Sequence, residues 1–170
     1  MPVRVVTRRR FVRAGLETRR RASGTRLAFS TRTGGISAAP YATLNLGAST
    51  ADRPEAVAEN RRRLLQSLDL DFNRLVTAGQ VHGAAVAVVS EPGLARGHDG
   101  LVTRVPGLPL AVSSADCLPI LFTAPGAIAA AHAGWRGTVA GIAEATLERA
   151  VPLGKRRSRP GARSSGSLHS

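Results

Sequence analysis

The apolar segments of this chain are short, and a histidine or a cysteine stands at the end of several of them. Residues 108–113, 119–123 and 128–132 each have the length and composition of a buried strand rather than of a helix. Strands this short and irregularly spaced do not make the eight strand–helix units of a barrel. Together with two helical patterns, they predict a single α+β domain: mixed β-sheets of short strands with flanking helices.

Weaker signals complete the predicted order of elements. Three further strand-like runs lie at 26–32, 75–77 and 84–90. Residues 91–100 are rich in glycine and are predicted to form a loop. A helix is expected to begin at Arg53-Pro54-Glu55 with Asp52 as its N-cap, because Asp is a favoured cap and Pro fits the first turn. A second helix is expected over 134–150, after a glycine-rich turn.

The positive charge of the chain, +13 in total, lies at its two ends. Residues 1–26 contain nine Arg and one Glu, and residues 155–170 contain one Lys, four Arg and no acid, so residues 27–154 balance to zero. Basic ends bind polyanions weakly, and aromatic residues at 4% offer little stacking surface for single strands. We expect a basic N-terminal extension over 1–26, a catalytic domain over 27–154 with no specific nucleic-acid partner, and a disordered tail over 155–170.

Composition also indicates the class of protein. An apolar content of 43% is typical of soluble globular domains, and no apolar run approaches the roughly 20 residues of a membrane span. A single cysteine cannot form an intramolecular disulfide. The Arg-rich N-terminus lacks the apolar core of a signal peptide. We expect a cytoplasmic protein with no membrane partner.

Cys117, the only cysteine, lies where an apolar strand becomes polar, and His132 ends an Ala-rich strand. His82 lies between two further strand-like runs. One Cys and two His could supply the three protein ligands of a catalytic Zn²⁺, with a fourth position left for water or substrate. The spacing of these residues alone does not distinguish a metal site from a metal-free catalytic pair of Cys117 and a histidine. In that alternative Cys117 is a nucleophile, and Asp116 orients a histidine or acts as a base.

Two glycine-rich turns could bring backbone N–H groups close to an anion, at Gly34-Gly35 and at 134–137. Neither turn matches a P-loop or a dinucleotide-binding fingerprint. Arg136 on the second turn either binds an oxyanion or is a surface charge at a helix start. His98 in the Gly-rich loop and His169 near the C-terminus are assigned no catalytic role.

Seven short motifs of this chain occur in the order of a known family. They are Thr31-Arg32-Thr33-Gly34-Gly35, Leu44-Asn45-Leu46-Gly47, Glu59-Asn60-Arg61, Gln80-Val81-His82-Gly83, Asp99-Gly100-Leu101, Ser114-Ala115-Asp116-Cys117-Leu118-Pro119 and His132-Ala133-Gly134-Trp135-Arg136-Gly137. Over roughly residues 27–150 the chain resembles the YfiH-type family, also called the multicopper polyphenol oxidase or laccase-domain family. The resemblance implies a phosphorylase of adenosine, inosine or guanosine that also cleaves methylthioadenosine and deaminates adenosine.

The same resemblance implies a zinc ion held by His82, Cys117 and His132, which with Asp116 would form the catalytic group. Asp116 is the nearest carboxylate that could move protons during attack of an activated water on the purine. Residues with side chains suited to phosphate, ribose or base are Arg32, Asn45, Arg61, Gln80 and Arg136. The arginines are candidate phosphate clamps, because a guanidinium binds an oxyanion through two hydrogen bonds. Copper is the alternative metal under a laccase activity, but four His and one Cys are too few for a blue-copper site plus a trinuclear cluster.

After Gly154 the composition changes abruptly to Lys, Arg, Ser and Gly. Members of the family are longer by a substantial C-terminal segment, so the change predicts a domain whose C-terminal part is missing. Such a domain is expected to expose an apolar face, to be weakly soluble and to have low activity. An inactive remnant of such an enzyme is therefore a further alternative, beside the zinc-dependent phosphorylase and the metal-free Cys/His hydrolase.

Overall fold

The computed structural model describes residues 24–151 in full, together with the backbone of one strand over Leu16–Arg20. The predicted tail over 155–170 and most of the predicted extension over 1–26 lie outside the described residues. Within the described part of the chain, no helix is both long enough and apolar enough to cross a membrane.

The described elements alternate short strands with three helices and one 3₁₀ turn. In chain order they are β1 Leu16–Arg20, β2 Arg26–Ser30, α1 Pro54–Ser67, a 3₁₀ turn Phe72–Arg74, β3 Val76–Ala78, β4 Val86–Val88, β5 Gly93–Ala95, β6 Gly100–Thr103, β7 Leu110–Ala111, β8 Leu118–Ala124, β9 Ala127–Ala133, α2 Trp135–Val139 and α3 Ile142–Ala150. The predicted α+β class is confirmed. Each predicted strand has a counterpart, in β2, β3, β4, β7, β8 and β9.

The strands form three sheets. The first is the antiparallel pair β1 and β2. In the second, β3 lies between β5 and β7 and is parallel to both. The third has the order β4-β6-β9-β8, with β4 parallel to β6 and the other pairs antiparallel. Helix α3 packs on β6 and β9 of this sheet.

Strand β6 is buried on both faces and separates two hydrophobic cores. Because side chains alternate along a strand, its neighbours Leu101 and Val102 face opposite sides. Leu101 packs with Val76 and Leu108 in one core, whereas Val102 packs in the other core with sheet residues and with Ile142 of α3. A strand buried in this way holds the residue directly before it, Asp99, in a fixed position.

Two predicted boundaries were wrong. The predicted loop over 91–100 contains β5 and leads directly into β6. These strands are too short, and too rich in glycine, for alternation of apolar residues to reveal them. The predicted helix over 134–150 is two helices, because Gly141 between them adopts a left-handed conformation with φ of +81°.

The predicted N-cap of the first helix is also wrong by one residue. Arg53 is the N-cap of α1 and makes no capping hydrogen bond through its side chain. The Asp52 carboxylate instead accepts hydrogen bonds from the Arg53 N–H, at 2.8 Å, and from Asn45 Nδ2, at 3.0 Å. Asp52 therefore ties the preceding loop to the helix start.

The long loop before α1 is organised by Asn60, a fully buried polar residue of that helix. Its Oδ1 accepts a hydrogen bond from the Ile36 N–H at 2.9 Å. Its Nδ2 donates to Ser37 Oγ at 2.9 Å, to the Thr43 carbonyl at 3.2 Å and to the Asn45 carbonyl at 2.9 Å. One side chain thus satisfies four polar groups of a loop that has no strand partner of its own along this stretch.

Candidate metal centre

The donor atoms of His82, Cys117 and His132 all lie within 4.8 Å of one another. Cys117 Sγ is 3.8 Å from His82 Nε2. The two imidazole rings are 4.8 Å apart between centroids and nearly perpendicular, at 82°. The predicted convergence of these three residues is confirmed, and one soft sulfur with two imidazoles is a donor set for Zn or Cu(I).

Strand pairing explains why Cys117 and His132 meet despite the fifteen positions between them. Strands β8 and β9 form an antiparallel hairpin in which Leu118 lies opposite Ala133. Cys117 directly precedes β8 and therefore emerges at the same end of the hairpin as His132. His132 is buried, with 3% of its surface exposed, whereas Cys117 is half-buried.

His82 reaches the site from a tight turn with unusual backbone conformations. Gln80 and His82 have φ of +57° and +64°, in the left-handed region that residues with a side chain rarely adopt. The Asp99 carboxylate accepts hydrogen bonds from the N–H groups of Val81, His82 and Gly83, at 3.1, 2.9 and 2.9 Å. These bonds hold the turn in the conformation that directs His82 toward the site.

Asp99 also binds the second histidine. Its Oδ1 is 2.8 Å from His132 Nδ1, and Asp99 is fully buried. Burial by itself would raise the pKa of Asp99, but the hydrogen bonds from His132 and from the backbone of Gly83, His82 and Val81 together lower its pKa. The charged carboxylate accepts a hydrogen bond from Nδ1–H, which leaves His132 Nε2 free to bind a metal.

Asp99 contacts two of the three candidate donor residues and is absent from the sequence-based site candidates. It occurs in the motif Asp99-Gly100-Leu101 at the end of a glycine-rich loop, directly before a strand. The sequence feature that could have identified Asp99 is an acidic residue directly before a buried apolar segment. The strand was too short to be recognised, so the carboxylate was interpreted as part of a loop.

Gly134 leaves room for the ligands. A Cβ atom at this position would lie 2.8 Å from His82 Cδ2 and 3.0 Å from Cys117 Sγ. The first distance is shorter than carbon contacts allow, and the second is tight enough that the sulfur would have to shift. The absence of a side chain here is therefore a requirement of the site, not of the backbone, since φ of Gly134 is −69°.

Asp116 lies next to the thiol and affects it. Burial raises the pKa of Cys117, and the neighbouring Asp116 carboxylate raises it further by charge and by a hydrogen bond. A cysteine that acts as a free nucleophile needs the opposite, a lowered pKa. This environment disfavours the metal-free alternative, whereas a metal ion favours the thiolate directly.

Two of the five predicted substrate-binding residues flank the three donors. The Gln80 side chain donates to the Ser113 carbonyl at 2.8 Å and accepts from the Ser113 N–H at 2.7 Å. Gln80 therefore connects the His82 turn to the segment that leads to Cys117. Arg136 is exposed, and its guanidinium lies 5.3 Å from the centroid of the Trp135 ring.

The other three are grouped around the loop that Asn60 organises. Arg32 Nε donates to the Ala42 carbonyl at 3.3 Å. Asn45 Nδ2 donates to Thr50 and Asp52, and Arg61 Nε donates to the Leu46 carbonyl at 2.8 Å. Burial lowers the pKa of Arg61. Polar atoms of Asn45 and Arg61 are thus already engaged in shaping the protein, and Arg61 also lines a cavity of about 180 Å³ beside α1.

Three exposed apolar residues are sequence neighbours of the site residues. They are Val81, which precedes His82, Leu118, which follows Cys117, and Trp135, which follows Gly134. Their side chains are 59%, 63% and 73% exposed, in that order. Strand β8 pairs with β9 on one side and has no partner on its other side among the described strands. The described part of the chain therefore has an unpaired strand edge at β8, and the expected apolar face stays a prediction.

Replacing Gly134 with alanine is expected to lower zinc affinity by about 10–100-fold, as loss of ligand positioning typically does. The added methyl group would displace His82 or Cys117. The helix that follows can form with either glycine or alanine at position 134. Affinity is measured by competition with a chromogenic chelator. The control is Gly126→Ala, at the other end of the same hairpin, where a Cβ meets nothing within 4 Å but φ is +71°. It should cost folding stability and leave zinc affinity unchanged; equal affinities for the two variants would contradict the expectation.

Comparison with known proteins places these motifs in a family. The sequence model of the multi-copper polyphenol oxidoreductase laccase family matches residues 26–163. A purine nucleoside phosphorylase of Deinococcus radiodurans is 48% identical over 134 residues, covering 78% of this chain and 52% of the relative. The purine nucleoside phosphorylase YfiH of Escherichia coli is 46% identical over 121 residues, covering 69% and 49%.

Solved structures agree with the sequence relatives. The crystal structure of YlmD from Geobacillus stearothermophilus superposes with a TM-score of 0.67 at 39% identity, over 76% of this chain and 49% of that one. The chain spans about half the length of the curated relatives it matches. It belongs to the multi-copper polyphenol oxidoreductase laccase family, which includes the YfiH proteins.

Proposed function

We propose that this chain carries the zinc centre of a purine nucleoside phosphorylase. The substrates are adenosine, inosine, guanosine or methylthioadenosine with phosphate, and deamination of adenosine is a side activity. The observation that carries the proposal is the convergence of His82, Cys117 and His132 beside a buried carboxylate. Relatives named purine nucleoside phosphorylase supply the substrate class.

Zinc is preferred because three protein ligands of mixed nitrogen and sulfur type suit a catalytic zinc site, in which the fourth ligand is water or substrate. When bound, zinc supplies Lewis-acid catalysis at its open position. A laccase needs several copper ions and more ligands. The described residues contain one group of potential metal ligands, His82, Cys117 and His132. The remaining described histidine, His98, lies outside this group, and its Nδ1 is 2.7 Å from the Arg96 carbonyl oxygen.

The chain's own residues then have separable roles in phosphorolysis. A phosphate oxygen forms a bond to the ribose C1′ while the bond from C1′ to the purine nitrogen breaks, and the departing base takes up a proton. Arg136 is exposed two residues after Gly134 and can bind phosphate oxygens. Asp116 is exposed beside Cys117 and can exchange a proton with the base or with water.

The remaining candidates are proposed in supporting roles. Gln80 fixes the turn that presents His82, because both polar atoms of its amide bond to Ser113. Asn45, Arg32 and Arg61 shape the loop before α1, and Arg32 and Arg61 retain guanidinium nitrogens for phosphate. A substrate that bridged this loop and the metal centre would contact the arginines of the loop as well as the residues at the metal.

The proposal is tested by supplying the zinc-loaded protein with inosine and following hypoxanthine by chromatography. We expect release of hypoxanthine and ribose 1-phosphate only when phosphate is present, and none from Cys117→Ser. The control Ser90→Ala, an exposed position outside the site, should behave as the wild type. Release of the base without phosphate would indicate a hydrolase, and no release by the zinc-loaded wild type would refute the proposed activity.

A further inference from the structure

We infer that Asp99 is the positioning residue of the metal centre: one buried carboxylate fixes both histidine ligands, His132 through its ring and His82 through its backbone. The inference rests on the proposed zinc site and deepens it. It makes the geometry of the site depend on a residue that does not contact the metal.

The carboxylate is fully used. Asp99 Oδ1 accepts from His132 Nδ1 at 2.8 Å and from the His82 N–H at 2.9 Å. Its Oδ2 accepts from the Val81 N–H at 3.1 Å and from the Gly83 N–H at 2.9 Å. Four donors converge on two oxygens in a fully buried position, where each unsatisfied group would be costly.

The turn that carries His82 needs this support. His82 is in a left-handed conformation, with φ of +64°, and so is Gln80 two residues earlier. Residues with a Cβ adopt this conformation only when their surroundings compensate for it. Three consecutive N–H groups pointing at one carboxylate provide that compensation, so the orientation of His82 is a consequence of Asp99.

The sheet in turn fixes Asp99. Its N–H donates to the Ala85 carbonyl at 3.0 Å, and its carbonyl accepts from the His132 N–H at 2.8 Å. Asp99 directly precedes β6, the strand that is buried on both faces. His132 is therefore bound to Asp99 twice, through its main chain and through its ring. The carboxylate is placed by a rigid scaffold and does not have to find its position when metal binds.

This arrangement determines which histidine nitrogen faces the metal. Donation from Nδ1 to the carboxylate fixes the tautomer of His132 that leaves Nε2 free to ligate, and it makes that nitrogen a stronger donor. An asparagine at position 99 would place an NH₂ group against two of the four donors, because each carboxylate oxygen accepts two hydrogen bonds. The substitution therefore removes accepting capacity without changing the size of the side chain.

The test compares Asp99→Asn with Asp71→Asn. Asp71 is a matched control because its carboxylate accepts from the Asn73 N–H at 2.9 Å in the exposed 3₁₀ turn. We expect Asp99→Asn to weaken zinc binding about 10–100-fold, measured by chelator competition on folded protein, and Asp71→Asn to bind as the wild type. In the Co(II)-substituted protein, the Cys117 thiolate band should remain in Asp99→Asn while the d–d bands shift. Unchanged affinity and unchanged bands in a folded Asp99→Asn protein would overturn the inference.

A second measurement does not depend on the folding of any variant. In the zinc-loaded wild type, ¹⁵N chemical shifts of His132 should show a protonated Nδ1 and a metal-bound Nε2. Ligation through Nδ1 would overturn the role of Asp99 while leaving the proposed zinc site in place. A wild type that binds no zinc would instead refute the proposed function itself, and the positioning role with it.

Discussion

Replacing Cys117 with serine is expected to abolish stoichiometric zinc binding. Cys117 supplies the soft donor of the three, with Sγ 3.8 Å from His82 Nε2. A serine hydroxyl is a poor ligand at neutral pH, and two imidazoles alone do not hold zinc tightly. The loss of affinity should exceed the roughly 10–100-fold that follows from removing an outer-sphere partner. Isothermal titration with zinc and elemental analysis of the dialysed protein measure it.

The matched control for this prediction is His98→Ala. His98 is a potential zinc ligand close in sequence to Asp99, but its Nδ1 is bonded to the Arg96 carbonyl and it is outside the group of three donors. We expect His98→Ala to retain one zinc per chain, and His82→Ala and His132→Ala to lose it. A Cys117→Ser protein that retains wild-type affinity would show that the thiolate is not a ligand.

Replacing Gly35 with alanine is expected to lower the free energy of unfolding by more than about 3 kcal/mol. A Cβ at this position would lie 2.2 Å from the Thr43 carbonyl oxygen, 2.5 Å from Asn60 Oδ1 and 2.5 Å from Leu44 Cα. Two of these atoms belong to the backbone and the third to a buried side chain with four hydrogen bonds, so none can move aside cheaply. Urea denaturation measures the change in the free energy of unfolding.

Gly83→Ala is the matched control for stability. There the added Cβ would meet its nearest atoms, Asp99 Oδ2 and Val81 Cγ2, at an ordinary 3.7 Å. We expect a change within about 1 kcal/mol. If Gly35→Ala were as stable as Gly83→Ala, the close packing of the loop against Asn60 would be incorrect.

The three donors could be predicted from the sequence because each lies at a boundary that local composition reveals. His132 ends an Ala-rich strand, and Cys117 stands where polar residues give way to an apolar run. The antiparallel hairpin of β8 and β9 then brings them together, and hairpins of two adjacent strands are the simplest pairing a sequence can specify. His82 lies between two further strand-like runs, and the family motif supports the same assignment.

The supporting interactions were not predictable in the same way. Asp99 lies 33 positions from His132, and Gln80 lies 33 positions from Ser113. Contacts this distant leave no periodic trace in the sequence, because they depend on how β6 is inserted between other strands. Asn60 was missed for a related reason: the helical pattern identifies apolar residues on the inner face and gives no indication that an amide is buried beside them.

The central claim is that His82, Cys117 and His132 hold one zinc ion, and X-ray absorption at the zinc edge tests it most directly. The purified protein should show one sulfur at about 2.3 Å and two histidine nitrogens at about 2.0–2.1 Å, with the remaining position taken by a light atom. Cys117→Ser protein prepared in the same way should retain no stoichiometric zinc, and any residual zinc should show no sulfur ligand. A zinc shell without sulfur in the wild type, or with more than one sulfur, would contradict the account.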